Sequence, residues 1–192
     1  MNTINFLLLD AARMQGEIHH ARELNLDHTC LYEGDSERFL SAVAPWLFSL
    51  PPESPFTTWI SEKAGGQNWG VLLRSREGPV QLYKHLRQFL ITEGEDGREM
   101  YFRYYDPRVL RAFLPTCETE QLRAFFGPID AFVAEDASGQ VMEYHMNPEG
   151  DLEVTETGKD LATFFRTGQS TQGDRISEEP RPEPRKNWDF GY

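Results

Sequence analysis

The chain has 192 residues, 39% of them hydrophobic, including 13 Phe and 4 Trp. That is enough to bury the core of one domain, or of one domain with a small lobe, and too apolar for a disordered chain. A net charge of −12 argues against general nucleic-acid binding and against docking on anionic lipid, since both need a basic face. It suits a neutral or basic partner. Phe6–Leu9 is a short apolar run followed at once by Asp10 and Arg13, unlike a signal peptide. No stretch approaches the ~20 apolar residues of a membrane helix. Cys30 and Cys117 sit in or beside apolar segments and have no zinc or redox spacing. Free thiols without an export signal predict a cytoplasmic location.

In chain order, Asn5–Leu9 reads as a buried strand. Ala11, Met14, Ile18 and Ala21 then recur at helical spacing. Thr29–Tyr32 reads as a second strand. A short helix follows, capped by Asp35 or Ser36 and running through Phe39, Leu40 and Val43, with Pro45 as its stop. Trp46–Leu50 reads as a strand, and Phe56, Trp59 and Ile60 mark another helix, ended by Gly65-Gly66. Asn68–Leu73 is nearly all apolar, the pattern of a central strand covered on both faces. Gly70 lies inside it, where a side chain would meet a close neighbour. Pro79 opens a helix with Leu82, Tyr83, Leu86, Phe89 and Leu90 on one face. Ile91–Thr92 pairs with the Met100–Tyr105 strand across the Glu93–Gly97 turn.

Alternation along Met100–Tyr105 predicts Met100, Phe102 and Tyr104 on one face and Tyr101, Arg103 and Tyr105 on the other. Asp106-Pro107 signals a capped helix start, and Val109, Leu110, Phe113 and Leu114 form its apolar stripe. Leu122, Phe125 and Phe126 give the next helix its buried side, and Gly127-Pro128 stops it. Two strands follow, Ala131–Glu135 and Val141–Met146, then a third at Asp151–Val154 and a closing helix with Leu161, Phe164 and Phe165. The expected fold class is α/β: a mixed β-sheet flanked by helices, with a small C-terminal β-hairpin lobe and a flexible tail. The expected division is an α/β domain over 1–127, the small lobe over 128–166 and the tail over 167–192. Deleting the tail should leave stability nearly unchanged. Trp188, Phe190 and Tyr192 near its end have the look of a docking peptide, or of side chains that pack back on the domain.

Five blocks of this chain resemble, in order, those of a bacterial family first catalogued as a domain of unknown function. They are FLLLDAAR (Phe6–Arg13), CLYEGD (Cys30–Asp35), VAPWLFSL (Val43–Leu50), GGQNWGVLLRS (Gly65–Ser75), and FRYYDPRVLRAFLP with EQLRAFFGP (Phe102–Pro128). They span roughly the first two-thirds of the chain. Members of that family are read as type VI secretion effector chaperones or adaptors, the Tap/Tec group. The resemblance implies a cytoplasmic protein that holds a specific toxic effector and helps load it onto the spike protein VgrG. One departure is the second helix of the last block, which usually opens with Asp-Pro and here opens with Glu118-Thr119. Glu is the poorer cap, so Thr116 is the expected one.

No phosphate loop, nucleophile elbow or dinucleotide glycine pattern is present in the sequence. His19 and His20 point about 100° apart on a helix and cannot easily share a metal. The expectation is therefore a binding protein, not an enzyme, with no cofactor and no metal. An immunity protein that binds a toxin domain is the second reading, and an enzyme with an unrecognised site the third. The expected partner-contacting residues are Arg103, Arg108, Arg111, Arg74 and Trp69, since Arg and aromatics are common interface anchors. Arg103, read as mid-strand between tyrosines, needs a partner. Asp106, Asp10 and Glu33 are candidates for a structural ion pair, and a carried protein is the alternative. Arg108 and Arg111 read as an exposed basic patch. Reversing both charges is then expected to weaken capture and spare the fold.

Overall fold

The computed structural model describes residues 4–93 and 98–169. The strands are β1 (Phe6–Asp10), β2 (His28–Cys30), β3 (Pro45–Ser49), β4 (Gly70–Ser75), β5 (Ile91–Glu93), β6 (Glu99–Tyr101), β7 (Ile129–Glu135), β8 (Val141–Met146) and β9 (Leu152–Glu156). Seven form one sheet in the order β2-β3-β1-β4-β7-β8-β9, and β5 and β6 form a separate hairpin. The α/β fold class is as expected. Every pairing among the described strands is antiparallel, however, so the sheet lacks the parallel component of a mixed one. Strands β7 to β9 extend this same sheet past β4. The boundary expected at 127/128 thus falls within one sheet, not before a separate lobe.

The helices are α1 (Ile18–Leu24), α2 (Gly34–Leu40), α3 (Pro55–Lys63), α4 (Pro79–Arg87), α5 (Pro107–Phe113), α6 (Thr119–Phe126) and α7 (Leu161–Gln169). All but α2 cover the sheet, α4, α5 and α6 on one face and α1, α3 and α7 on the other. Phe6 and Leu8 of β1, Val71 and Leu73 of β4 and Phe132 of β7 pack with Leu82 and Leu86 of α4, Leu110 of α5, and Leu122 and Phe125 of α6. Leu7, Leu9, Leu72 and Val133 point the other way, onto Ile18 and Ala21 of α1, Phe56 and Ile60 of α3, and Leu161 and Phe165 of α7. The period-two alternation of a strand sends neighbours to opposite faces. Because both faces are covered, the central strands read as unbroken apolar runs. Phe125 is the hub of the first layer, stacked on Phe132 with ring centroids 5.1 Å apart and edge-on to Phe89 and Phe113.

Several local expectations are corrected. The helix read through Ala11 and Met14 begins only at Ile18. Gln15 and Gly16 take positive φ angles of 50° and 98°, which a helix cannot accommodate, yet all four apolar residues are still buried. Strand β6 stops at Tyr101. A turn bond from Asp106 N–H to the Arg103 carbonyl (2.9 Å) closes the next segment, so Tyr104 and Tyr105 are both buried instead of alternating. Asp106 caps α5 by accepting the Arg108 N–H (3.0 Å), with Pro107 at the first helical position. Thr116 does not cap α6. Its hydroxyl donates to the Phe113 carbonyl, while Gln121 accepts the N–H of Glu118 at 2.8 Å. The closing helix reaches Gln169, beyond the expected tail start at 167. Trp188, Phe190 and Tyr192 lie outside the described residues.

Gly70 meets the expectation of a close neighbour. It pairs with Leu9 in the sheet, and a Cβ there would overlap the Leu8 carbonyl oxygen and come within 3.0 Å of the Leu8 carbonyl carbon and Leu9 Cα. These are backbone atoms of a central strand and cannot step aside. Gly70→Val is expected to cost about 3 kcal/mol, lowering Tm by roughly 6–12 °C for a chain of this size. A Cβ on Gly65 meets only the Glu135 carboxylate oxygen, at 3.9 Å, so Gly65→Ala should melt close to the parent. Thermal unfolding of the two variants side by side checks the contrast.

Candidate partner-binding site

The antiparallel register brings one end of several strands together. Asp10, at the end of β1, faces Pro45, the start of β3, and Leu9 faces Gly70, the start of β4. Strand β2 ends here, followed by Leu31 and Tyr32, and β7 ends here at Glu135. Helix α2 leaves and re-enters the sheet at this end, and the segment from Phe102 into α5 crosses it.

Asp10 has no exposed surface. Its carboxylate accepts the Ala12 N–H at 3.1 Å and the guanidinium of Arg103. Burial raises its pKa, and the Arg103 hydrogen bond and charge offset part of that rise. Of the three partners expected for Arg103, Asp10 is the one it meets. Asp106 is almost as deeply buried and is chelated by Arg108, whose Nε lies 2.9 Å away. Burial alone would raise the Asp106 pKa, but the Arg108 hydrogen bonds outweigh it and hold the carboxyl below its ordinary value. Tyr32 and Tyr105 share a hydroxyl hydrogen bond beside this cluster, and burial pushes both phenols up. At the far side of the strand ends, Glu135 accepts the Gly66 N–H with both carboxylate oxygens, at 2.9 and 3.1 Å. Its pKa is raised by burial.

Four of the five expected contact residues arrive at this end: Trp69, Arg103, Arg108 and Arg111. The fifth does not. Arg74 lies toward the other end of β4, where it pairs with Glu143 and is nearly buried. The basic patch is also corrected. Arg108 is committed to Asp106, and Arg111 reaches inward to donate to the Glu135 backbone carbonyl. Double reversal to Glu would place a carboxylate against a carbonyl oxygen and another beside buried Asp106. We therefore expect R108E/R111E to destabilise the domain rather than spare it.

Sequence reasoning missed the open apolar side chains nearby. Helix α2 buries none of its residues. Phe39 is 71% exposed, and Val43, in the turn after the helix, is 47% exposed. Met100 and Tyr101 on the hairpin are 51% and 54% exposed. Tyr32 links the two groups: it precedes α2 in the chain, and its ring lies 5.6 Å from that of Tyr101. The signal that could have found them is the charge beside them. Asp35, Ser36, Glu37 and Arg38 leave α2 only a narrow apolar edge.

Among the described residues no group of three or more His, Cys, Asp or Glu is placed to hold a metal ion. Burial pushes the Cys30 thiol up to about 12, so it is uncharged at neutral pH. Among the described residues no helix is long and apolar enough to cross a membrane. The domain is an antiparallel sheet covered on both faces, with ion pairs at its strand ends and apolar side chains left open at one end. Residues 5–124 match the model of a family described as a domain of unknown function, DUF4123, and the chain belongs to that family. No curated protein and no solved structure matches it.

The buried pair gives a pH-dependent test. With its folded pKa raised, Asp10 is more easily protonated in the native state, so its charge lowers stability at neutral pH and the loss is regained as pH falls through that raised value. Arg103→Leu removes the groups that offset the rise. Arg103 is 41% exposed, so the cost at neutral pH should be about 2 kcal/mol, below the 3–5 kcal/mol of a fully buried pair. The deficit should shrink as pH is lowered and Asp10 becomes neutral. Urea unfolding of both proteins at neutral and mildly acidic pH measures it, and a constant deficit would remove Asp10 as the cause.

Proposed function

We propose that this protein is a cytoplasmic adaptor of a type VI secretion system, which binds one cognate effector and promotes its loading onto the VgrG spike without catalysing a reaction. Membership of DUF4123 supports the reading, together with the blocks that resemble the adaptor group. The observation that carries it is where those blocks meet. FLLLDAAR supplies Asp10, CLYEGD supplies Tyr32, VAPWLFSL supplies Val43, GGQNWGVLLRS supplies Trp69, and FRYYDPRVLRAF supplies Arg103, Asp106 and Arg108. Segments far apart in sequence thus build one end of the sheet. Arg103, Arg108 and Arg111 are each bonded to groups of that end, and the exposed side chains of α2, of Val43 after it and of the hairpin are left for contact. Apolar and aromatic groups of this kind supply most of the energy at protein interfaces.

The contact is tested with Phe39→Asp combined with Val43→Asp. Both side chains are open to solvent, so the variant should fold and melt near the parent, while capture of the cognate effector from a co-expression strain should fall at least tenfold. Unaltered capture would take α2 out of the interface. Deleting the gene should abolish secretion of one effector and leave assembly of the apparatus intact. Normal secretion of every effector would sink the adaptor reading. Binding confined to a toxic domain, with none to the region nearest the spike, would favour an immunity protein instead.

A further inference from the structure

On the other side of the same sheet end, the turns between β1 and α1 and the loop before β4 enclose an open cleft of about 300 Å³ lined by Arg13, Met14, Gln15, Glu17, Gln67 and Trp69. Both walls are anchored. The Asp10 N–H donates to the Trp69 carbonyl at 2.7 Å, and Glu135 grips Gly66. Trp69 is stacked on Trp59 with centroids 5.5 Å apart, and His20 meets Trp59 edge-on at 5.3 Å. This stack stiffens the aromatic wall.

Arg13 is the unusual member. Its backbone N–H is bonded to Asp10 (2.9 Å), but its side chain has no ion pair with any described residue, and its Nε is buried with no acceptor. The other cations at this end, Arg103, Arg108 and Arg111, are all matched. An orphaned donor on a charged group is costly, and in native proteins such groups are nearly always satisfied by something. Around it stand two carboxamides, Gln15 and Gln67, which donate and accept, and the flat face of an indole.

We propose that this cleft binds a carboxylate side chain carried on an acidic, proline-containing peptide segment. One guanidinium, with Glu17 on the rim, matches a single negative charge better than a phosphate dianion. A bidentate carboxylate would use the fork of Arg13, and a neighbouring proline ring would lie against Trp69. Two sources carry this chemistry: a partner chain, and the stretch of this chain in which Glu178, Glu179 and Glu183 alternate with Pro180, Pro182 and Pro184. The inference stands apart from the secretion reading, and its test needs no effector.

The probe is an acetylated, amidated Gly-Pro-Glu-Pro-Gly peptide, with Gln in place of Glu as its control. The readout is the indole N–H resonance of Trp69 in the full chain, assigned from Trp69→Phe. The Glu peptide should shift this signal saturably. The Gln peptide should bind at least tenfold more weakly, and so should the Glu peptide to Arg13→Gln, while Arg13→Lys retains part of the affinity. A full chain with Glu178, Glu179 and Glu183 changed to Gln separates the sources. Tighter binding of the probe there means the chain's own carboxylates compete for the cleft, and equal binding means the acid comes from another chain. Equal binding of the Glu and Gln peptides, binding unaffected by Arg13→Gln, or no saturable shift in either full-length protein would overturn the proposal. The comparison of the two peptides needs no variant, so a folding defect in Arg13→Gln cannot mask the result.

Discussion

Asp10 is a carboxylate at the end of a central strand with no contact with solvent, and it stays there because Arg103 comes to it from far along the chain. The contact ties the last residue of β1 to the segment that leads into α5. Once Arg103 is held, the turn at Arg103–Asp106 is fixed, both following tyrosines are driven inward, and Asp106 is placed to cap the helix. Tyr104 then closes the core by donating to the Leu86 carbonyl at 2.7 Å. A buried carboxylate is satisfied in few geometries, and loss of its partner leaves an uncompensated charge in the core.

The same economy runs through the charged residues. Arg74, Arg87, Arg103 and Arg108 each answer a carboxylate from the chain itself. These four cations are held in internal pairs, in a chain where Asp and Glu outnumber Lys and Arg by 31 to 19. The chain therefore combines an acidic excess with exposed aromatic and aliphatic side chains. Such a combination favours neutral or basic partners on approach and apolar contact on docking.

Much of the fold was legible in the sequence because burial on both faces leaves a plain mark: Phe6–Leu9 and the run through Val71–Leu73 read as central strands and are. Asp106-Pro107 was equally plain, since capping chemistry is local. The misreadings share one cause, long-range contact overriding local pattern. Aromatic residues at 100–105 suit a strand, but a charge pair with residue 10 bends them into a turn. Apolar residues at 39, 40 and 43 suit one continuous helix, but α2 buries none of its residues and ends at Leu40, before Val43. Arg108 and Arg111 have the spacing of a surface patch. Their partners, a cap residue and a distant backbone carbonyl, are set by the fold and not by spacing. Trp69 and Arg103 stand out in the sequence because aromatic and charged residues in apolar runs are conspicuous. The i, i+3 spacing of Asp10 and Arg13 suggests a local ion pair, but Asp10 is taken by distant Arg103, a contact that spacing cannot show.

The strand order has a consequence for how the chain is made. Strand β4 is flanked by β1 on one side and by β7 on the other, yet β7 lies beyond residue 124, where the family match ends. As the chain emerges during synthesis, β1, β3 and β4 can assemble early, but β4 keeps an unpaired edge until Ile129–Glu135 appears. Phe132 and Val133, which fill both core layers, arrive at the same moment. An exposed edge in a hydrophobic strand is a template for misassembly. The stretch that defines the family is therefore not, in this protein, a unit that can close by itself, and the residues after it act as the strand that seals the nascent sheet.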